Sequence, residues 1–117
     1  MSEGTEVVDQ VIVLPRYTSF VGAGPFFTGA VNVRPYGSGI FAFMQVAGLG
    51  SPVAVAAATV QGSPDLEIWD DIGSPLATGD TDTRAFPYEW IRLKVALTGG
   101  VLGATCWCVV DLVRRET

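Results

Sequence analysis

The chain has 117 residues, of which 12 are acidic, 7 are basic and none is histidine, so its formal net charge is −5. A chain of this length suits one domain with its own hydrophobic core. The negative charge argues against nucleic acid as a partner, because phosphate binding requires a surplus of Lys and Arg. The absence of histidine excludes Ser/His/Asp and Cys/His catalytic arrangements and removes the commonest zinc ligand.

The N-terminal residues include Glu3 and Glu6, and no apolar run with a basic flank precedes the first predicted strand. This pattern differs from that of a secretory signal peptide. We therefore expect the chain to be made in the cytoplasm. Its length predicts a single domain over residues 1–117. Residues 1–15 are expected to be an N-terminal arm or an edge strand.

Between residues 17 and 64 the only charged side chain is Arg34. Because a solvated surface normally carries charge throughout, this neutral stretch predicts strands that are covered on both faces, by a second layer or by another copy of the chain. Self-association is the simpler explanation for a domain this small. Residues 40–60 are apolar enough for a membrane span, but turn residues at 47–52 interrupt them, so we expect two strands and no membrane partner.

Short runs of β-branched and aromatic residues alternate with Gly, Pro, Ser and Asp, and no helical period is evident, which predicts an all-β fold. Residues 90–97 alternate core-facing and polar positions, and the glycines that follow predict an antiparallel hairpin with the last strand. About eight short strands indicate an antiparallel β-sandwich or jelly roll, with a small barrel as the alternative. The predicted strands are residues 7–14, 29–34, 39–46, 53–61, 66–70, 83–86, 90–98 and 103–114.

Four carboxylates crowd seven positions in the middle of the chain, namely Asp65, Glu67, Asp70 and Asp71. If Leu66 and Ile68 face inward on a strand, the alternating acids Asp65 and Glu67 lie on its outer face, which is ordinary solvation. The segment lacks the spacing of an EF-hand, although a second acidic loop with Asp80 and Asp82 could meet it to form a surface calcium site. We assign no catalytic residue, no resident metal and no cofactor.

The two cysteines, Cys106 and Cys108, point to the same face of the last predicted strand. A disulfide between them would be strained, and two thiolates fill only half of a zinc site, so we interpret them as buried, apolar thiols. They share the stripe that faces the core with Val110 and Leu112. Trp107 and Val109 then lie on the opposite face, which is too apolar for plain solvent, and we assign them to a subunit contact or to the second layer.

From residue 53 onward the strands follow a recognisable order: a strand ending in Gly62-Ser-Pro-Asp65, a short strand reaching Trp69, a polar linker, the segment Glu89-Trp-Ile-Arg-Leu-Lys-Val-Ala-Leu-Thr-Gly-Gly100 and a final apolar strand. This order resembles the small β-sandwich modules in virion proteins of tailed bacteriophages and phage-derived particles, including head decoration proteins. The resemblance covers about residues 53–114 and carries over no catalytic residue. It implies symmetric oligomers, often trimers, on a shell or in a tail.

We therefore expect a non-enzymatic structural protein of a virion that self-associates, with a trimer favoured, and docks on the major capsid protein or another virion protein. One alternative is a phage tail or neck component. Another is a carbohydrate-binding module whose exposed aromatic rings stack on sugars, assisted by calcium at the acidic loops. The residues that we expect at interfaces, at least in part, are Phe26, Phe27, Phe41, Phe43, Trp107 and Val109.

Overall fold

The computed structural model describes residues 7–99 and 101–114, and all regular secondary structure in this part of the chain is β. The nine strands are β1 (Val7–Val21), β2 (Phe26–Phe27), β3 (Val31–Asn32), β4 (Tyr36–Gly48), β5 (Val55–Ser63), β6 (Asp70–Asp71), β7 (Thr81–Ala85), β8 (Trp90–Thr98) and β9 (Gly103–Arg114). The all-β prediction is confirmed, and β8 and β9 have the predicted bounds.

The strands form two antiparallel sheets that pack face to face as a β-sandwich, which confirms the predicted architecture. Sheet A has the order β1-β9-β4-β7, so β1 lies at its edge. Sheet B has the order β2-β8-β5-β6, and β3 also pairs with β8. The edge strand β1 tolerates Pro15 because an edge position has one side without ladder hydrogen bonds, and its register shifts on either side of Leu14.

The core lies between the sheets and is filled by alternate residues of the long strands. On β8 the odd-numbered residues 91–97 are buried, and on β9 the predicted stripe of Cys106, Cys108, Val110 and Leu112 is buried. Phe41 and Phe43 of β4 point into the same space, and the Phe41 ring meets the Phe86 ring edge to face with centroids 6.2 Å apart. A Cβ on Gly39 would lie 2.6 Å from Phe86, so this close packing requires glycine.

The hairpin predicted for the last two strands is wrong, because β8 belongs to sheet B and β9 to sheet A. Both strands carry apolar stripes, and these stripes face each other across the core. The connection from Thr98 to Gly103 therefore crosses from one sheet to the other. Gly99 has a φ of 138°, which a glycine adopts without strain.

The strand predicted for residues 66–70 is also wrong, because only β6 pairs there and residues 64–69 form a loop. The side chains of Ser63 and Asp65 accept hydrogen bonds from backbone amides of this segment, which competes with strand pairing. Leu66 and Ile68 are consequently exposed. The strand predicted for residues 29–34 is reduced to β3, and β2 was not predicted.

Residues 49–54 connect β4 to β5, which confirms the interruption predicted within residues 40–60. No helix of the described residues is long and apolar enough to cross a membrane.

Candidate interaction surfaces

One end of the sandwich is apolar and uncharged. It is built by the end of β1, the connection between β4 and β5, and the connection between β8 and β9. Six aliphatic side chains there are between 46% and 79% exposed, namely Val21, Val46, Leu49, Val53, Val55 and Val101. The segments that build this end, residues 17–28, 43–58 and 96–105, contain no charged residue. We call this surface the aliphatic end, and a cluster of this kind is typical of a contact surface.

Backbone and amide hydrogen bonds hold the aliphatic end in shape. The amide of Leu49 donates to the carbonyl of Gly103 at 2.9 Å, and Gln45 of β4 donates to and accepts from the β5 side at Ala54 and Ala56. A Cβ on Gly48 would lie 2.7 Å from the carbonyl oxygen of Ala54, so the connection can fold back only over a glycine. A shallow cleft of about 180 Å³ opens beside Leu49. The exposed aliphatic side chains are therefore carried by two connections, β4–β5 and β8–β9, that hydrogen bonds hold in place.

The outer face of sheet A is a second apolar surface. Trp107 and Val109 lie there and are partly exposed, as their positions opposite the core stripe predict. The other apolar members of this face are Ile12, Ile40, Ala42 and Met44. Arg16 places its guanidinium carbon 4.1 Å from the centroid of the Trp107 ring. At the other end of β9, Asp111 accepts a hydrogen bond from Gln10 at 2.7 Å.

The outer face of sheet B is polar and internally paired. The guanidinium of Arg92 lies 4.1 Å from the ring centroids of both Phe27 and Trp69, and its Nε donates to Gln61 at 2.9 Å. Gln61 in turn donates to Asp71, and this bond together with nearby Lys94 lowers the pKa of the Asp71 carboxyl. Burial lowers the pKa of Arg92. This network fastens the loop before β6 to the sheet.

The crowded carboxylates of residues 65–71 have separate local roles. Asp65 accepts backbone N–H bonds from Glu67 at 2.9 Å and Ile68 at 3.0 Å, which lowers its pKa and caps the turn. Asp70 accepts a hydrogen bond from Tyr88 at 2.8 Å, and Asp71 belongs to the Arg92 network. Within residues 7–99 and 101–114, no three Asp, Glu, Cys or His side chains are grouped to hold a metal ion.

The acidic loop, residues 64–71, lies at the opposite end of β5 from Val55 and the aliphatic end. The four carboxylates of this loop are therefore at one end of the sandwich, and the uncharged aliphatic groups are at the other.

The two cysteines are free thiols that point into the core. Desolvation by burial raises the pKa of Cys106 to about 11 and that of Cys108 to about 12. Because the thiolate is the reactive form, both groups are poor nucleophiles and poor metal ligands near neutral pH.

We expect neither thiol to react with iodoacetamide in the native protein at about pH 8, and both to react in concentrated guanidinium chloride. Mass spectrometry of the alkylated chain measures this directly, and alkylation of folded protein at the rate of free cysteine would contradict the burial. Both pKa values are higher in the folded state than in the unfolded state. The free energy of unfolding should therefore not depend on these thiols below a pH of about 8.5, and it should fall at higher pH, where the unfolded chain loses thiol protons that the folded chain keeps.

The residues predicted at interfaces occupy different places. Phe41 and Phe43 are 1% exposed in the core, so they have no surface to offer a partner. Phe26 is partly buried and packs against the Phe20 ring with centroids 5.0 Å apart, whereas Phe27 is half exposed and stacks on Arg92. Trp107 and Val109 remain together on the outer face of sheet A.

Sequence reasoning missed the aliphatic end. Five of its six side chains belong to the neutral stretch of residues 17–64, which the single chain leaves partly uncovered. The aliphatic end could have been predicted from the composition of its connections. They carry Leu49, Val53 and Val101 at positions where exposed loops usually carry polar residues.

Comparison of the chain with known protein families, with curated proteins and with solved structures finds no match.

Proposed function

We propose that this chain is a non-enzymatic structural protein that associates with copies of itself and docks on a phage shell, as a decoration or minor capsid protein. The observation that carries the proposal is the aliphatic end, where six exposed side chains stand without a charged residue among them. Burial of such a surface against another protein removes apolar area from water, which is the main driving force of association.

The size of the aliphatic end sets the strength of one contact. Full burial of a Val or Leu side chain contributes about 1.5–3 kcal/mol, so six half-exposed ones contribute roughly 6 kcal/mol. Association costs at least about 4 kcal/mol in lost freedom of motion, so a single contact is weak. Several weak contacts made together by an oligomer on a repetitive shell bind far more tightly, because each contact raises the effective concentration for the next. Self-association and shell docking therefore reinforce each other.

The resemblance of residues 53–114 to virion modules of tailed phages supports the choice of particle, although the short strand expected to reach Trp69 is a loop in this chain. A tail or neck position would use the same contact chemistry. The carbohydrate-binding alternative has less support, because Arg92 already covers one face of the half-exposed Phe27 ring and one face of the partly buried Trp69 ring. Cys106 and Cys108 are buried, and their raised pKa values argue only against catalysis by a cysteine thiolate.

We expect the purified chain to have a solution mass that is a multiple of 12.4 kDa by light scattering after size exclusion, and to cosediment with the particle that carries its gene. Val55→Asp places a charge on the aliphatic end and should weaken cosedimentation by about tenfold or more, because a buried carboxylate has no partner there. Ile68→Asp, an equally exposed position with the same charge change in the acidic loop, serves as the control and should bind normally.

A wild-type chain that stays monomeric at high concentration, or a Val55→Asp variant that binds as well as Ile68→Asp, would contradict the proposal. Binding of the chain to glycans with no binding to the particle would favour the carbohydrate-binding alternative.

A further inference from the structure

We infer that two copies of this chain pair through the outer face of sheet A, so that Arg16 of each copy meets Asp111 of the other. The two-fold axis of this pair lies between the two stacked faces and runs perpendicular to the strands. This inference rests on the self-association in the proposed function and names its surface and symmetry. It uses a face that is separate from the aliphatic end, so an assembled pair keeps both of its aliphatic ends for docking.

The register of the strands arranges this face in three rows across β1, β9 and β4. The middle row is wholly apolar and consists of Ile12, Val109 and Ala42, which are paired neighbours. One flanking row consists of Arg16, Trp107 and Met44. The other flanking row consists of Gln10, Asp111 and Ile40. Successive rows are two residues apart along β9, or about 7 Å.

The charges are therefore at opposite ends of an apolar strip. The guanidinium of Arg16 lies over the Trp107 ring, so the positive charge sits above β9. Asp111 is also on β9, four residues away from Trp107 and beyond Val109. The two charged groups thus lie along one line, with an uncharged row between them.

This pattern selects one of the two simple ways to stack the face on a second copy. A two-fold axis parallel to the strands would place Arg16 over Arg16 and Asp111 over Asp111, which is repulsive. An axis perpendicular to the strands places each guanidinium over the partner's carboxylate and forms two equal ion pairs. The same operation sets Val109 against Val109, Ile12 against Ile12 and Met44 against Ile40. It also sets Trp107, with the Arg16 guanidinium stacked on its ring, against Asp111.

The side chains are already oriented for this contact. A guanidinium stacked on an indole keeps its N–H groups in the plane parallel to the ring, where they remain available to a carboxylate. Gln10 donates to Oδ1 of Asp111 and so orients the carboxylate. Trp107 and Arg16 enter the contact as one unit, and residues of these two types are enriched among those that dominate binding.

The test is a charge-reversal cycle measured as the dimer dissociation constant by sedimentation velocity over a dilution series. Arg16→Glu or Asp111→Arg alone should weaken the pair by about tenfold or more, because each creates two like-charge contacts. The double variant recreates both ion pairs with reversed polarity and should recover to within about threefold of the wild type. Arg34→Glu, the same charge change at a highly exposed arginine away from this face, is the control and should have no effect.

Thermal unfolding of each variant shows whether it is folded. If a single variant failed to dimerise because it was unfolded, a second charge reversal would not restore dimerisation in the double variant. A double variant no tighter than the singles, or single reversals without effect, would overturn the two-fold pair while a wild-type oligomer would still support the proposed function. A trimeric wild-type mass would likewise overturn the pair alone. A monomeric wild type would overturn both.

Discussion

Replacement of Phe41 by Ala should lower the free energy of unfolding by about 3–5 kcal/mol, a large share of the total stability of a small domain. Phe41 is 1% exposed between the two sheets and packs edge to face on Phe86. Gly39 and Val110 lie close to the same aromatic pair, so the surroundings are too tightly packed to collapse fully into the space that the ring leaves. The cost therefore combines lost burial with a residual cavity.

The matched control is Phe27→Ala on the outer face of sheet B. Phe27 is half exposed and stacks on Arg92, so its truncation should cost about 1 kcal/mol or less. Urea titrations followed by tryptophan fluorescence measure both variants. Equal costs for the two variants, or a Phe41→Ala variant with normal stability but a changed solution mass, would place Phe41 at an interface, as expected from the sequence.

Replacement of Trp107 by Ala should weaken self-association by about 30-fold to 1,000-fold, the range of a residue that dominates an interface. Trp107 is partly exposed on the outer face of sheet A, and its ring supports Arg16. Its truncation removes apolar contact area and releases the guanidinium from its stacked position. Because the side chain lies outside the core, the free energy of unfolding of the isolated chain should change by only about 1 kcal/mol.

Light scattering over a dilution series measures the loss of the oligomer, and urea titration at low concentration measures the stability of the single chain. Trp90→Ala is the matched control, because Trp90 is also partly exposed at an outward position, on sheet B. It should leave the solution mass unchanged. A Trp107→Ala variant that unfolds as a monomer would instead assign this side chain to the folding of the chain itself.

The parts of the fold that could be predicted from sequence are those where one face of a strand is buried. Strands β8 and β9 have the predicted bounds because their alternation of apolar and polar residues is regular over nine or more positions. The same alternation correctly separated the core-facing Cys106 and Cys108 from the outward Trp107 and Val109. Burial on one face fixes both the length and the register of such strands.

Prediction failed where competing local interactions or long-range pairing decide the structure. Alternation also suggested a strand at residues 66–70, but Ser63 and Asp65 bind the local backbone amides and form a turn. The Gly99 turn permits either a hairpin or a crossing between sheets, and only packing of the two apolar stripes across the core selects the crossing. The aliphatic end is assembled from three separate segments, so no single window of sequence displays it.

If the chain docks on a shell as proposed, the distance between its acidic loop and its aliphatic end has a consequence for the particle. A chain seated by its aliphatic end would hold Asp65 and Glu67 outward, at the far end of β5. Repeated over a shell, these carboxylates would form a negative outer coat. Such coats repel one another at low ionic strength and lose this repulsion when salt screens it, so decorated particles would remain dispersed under conditions in which bare shells aggregate.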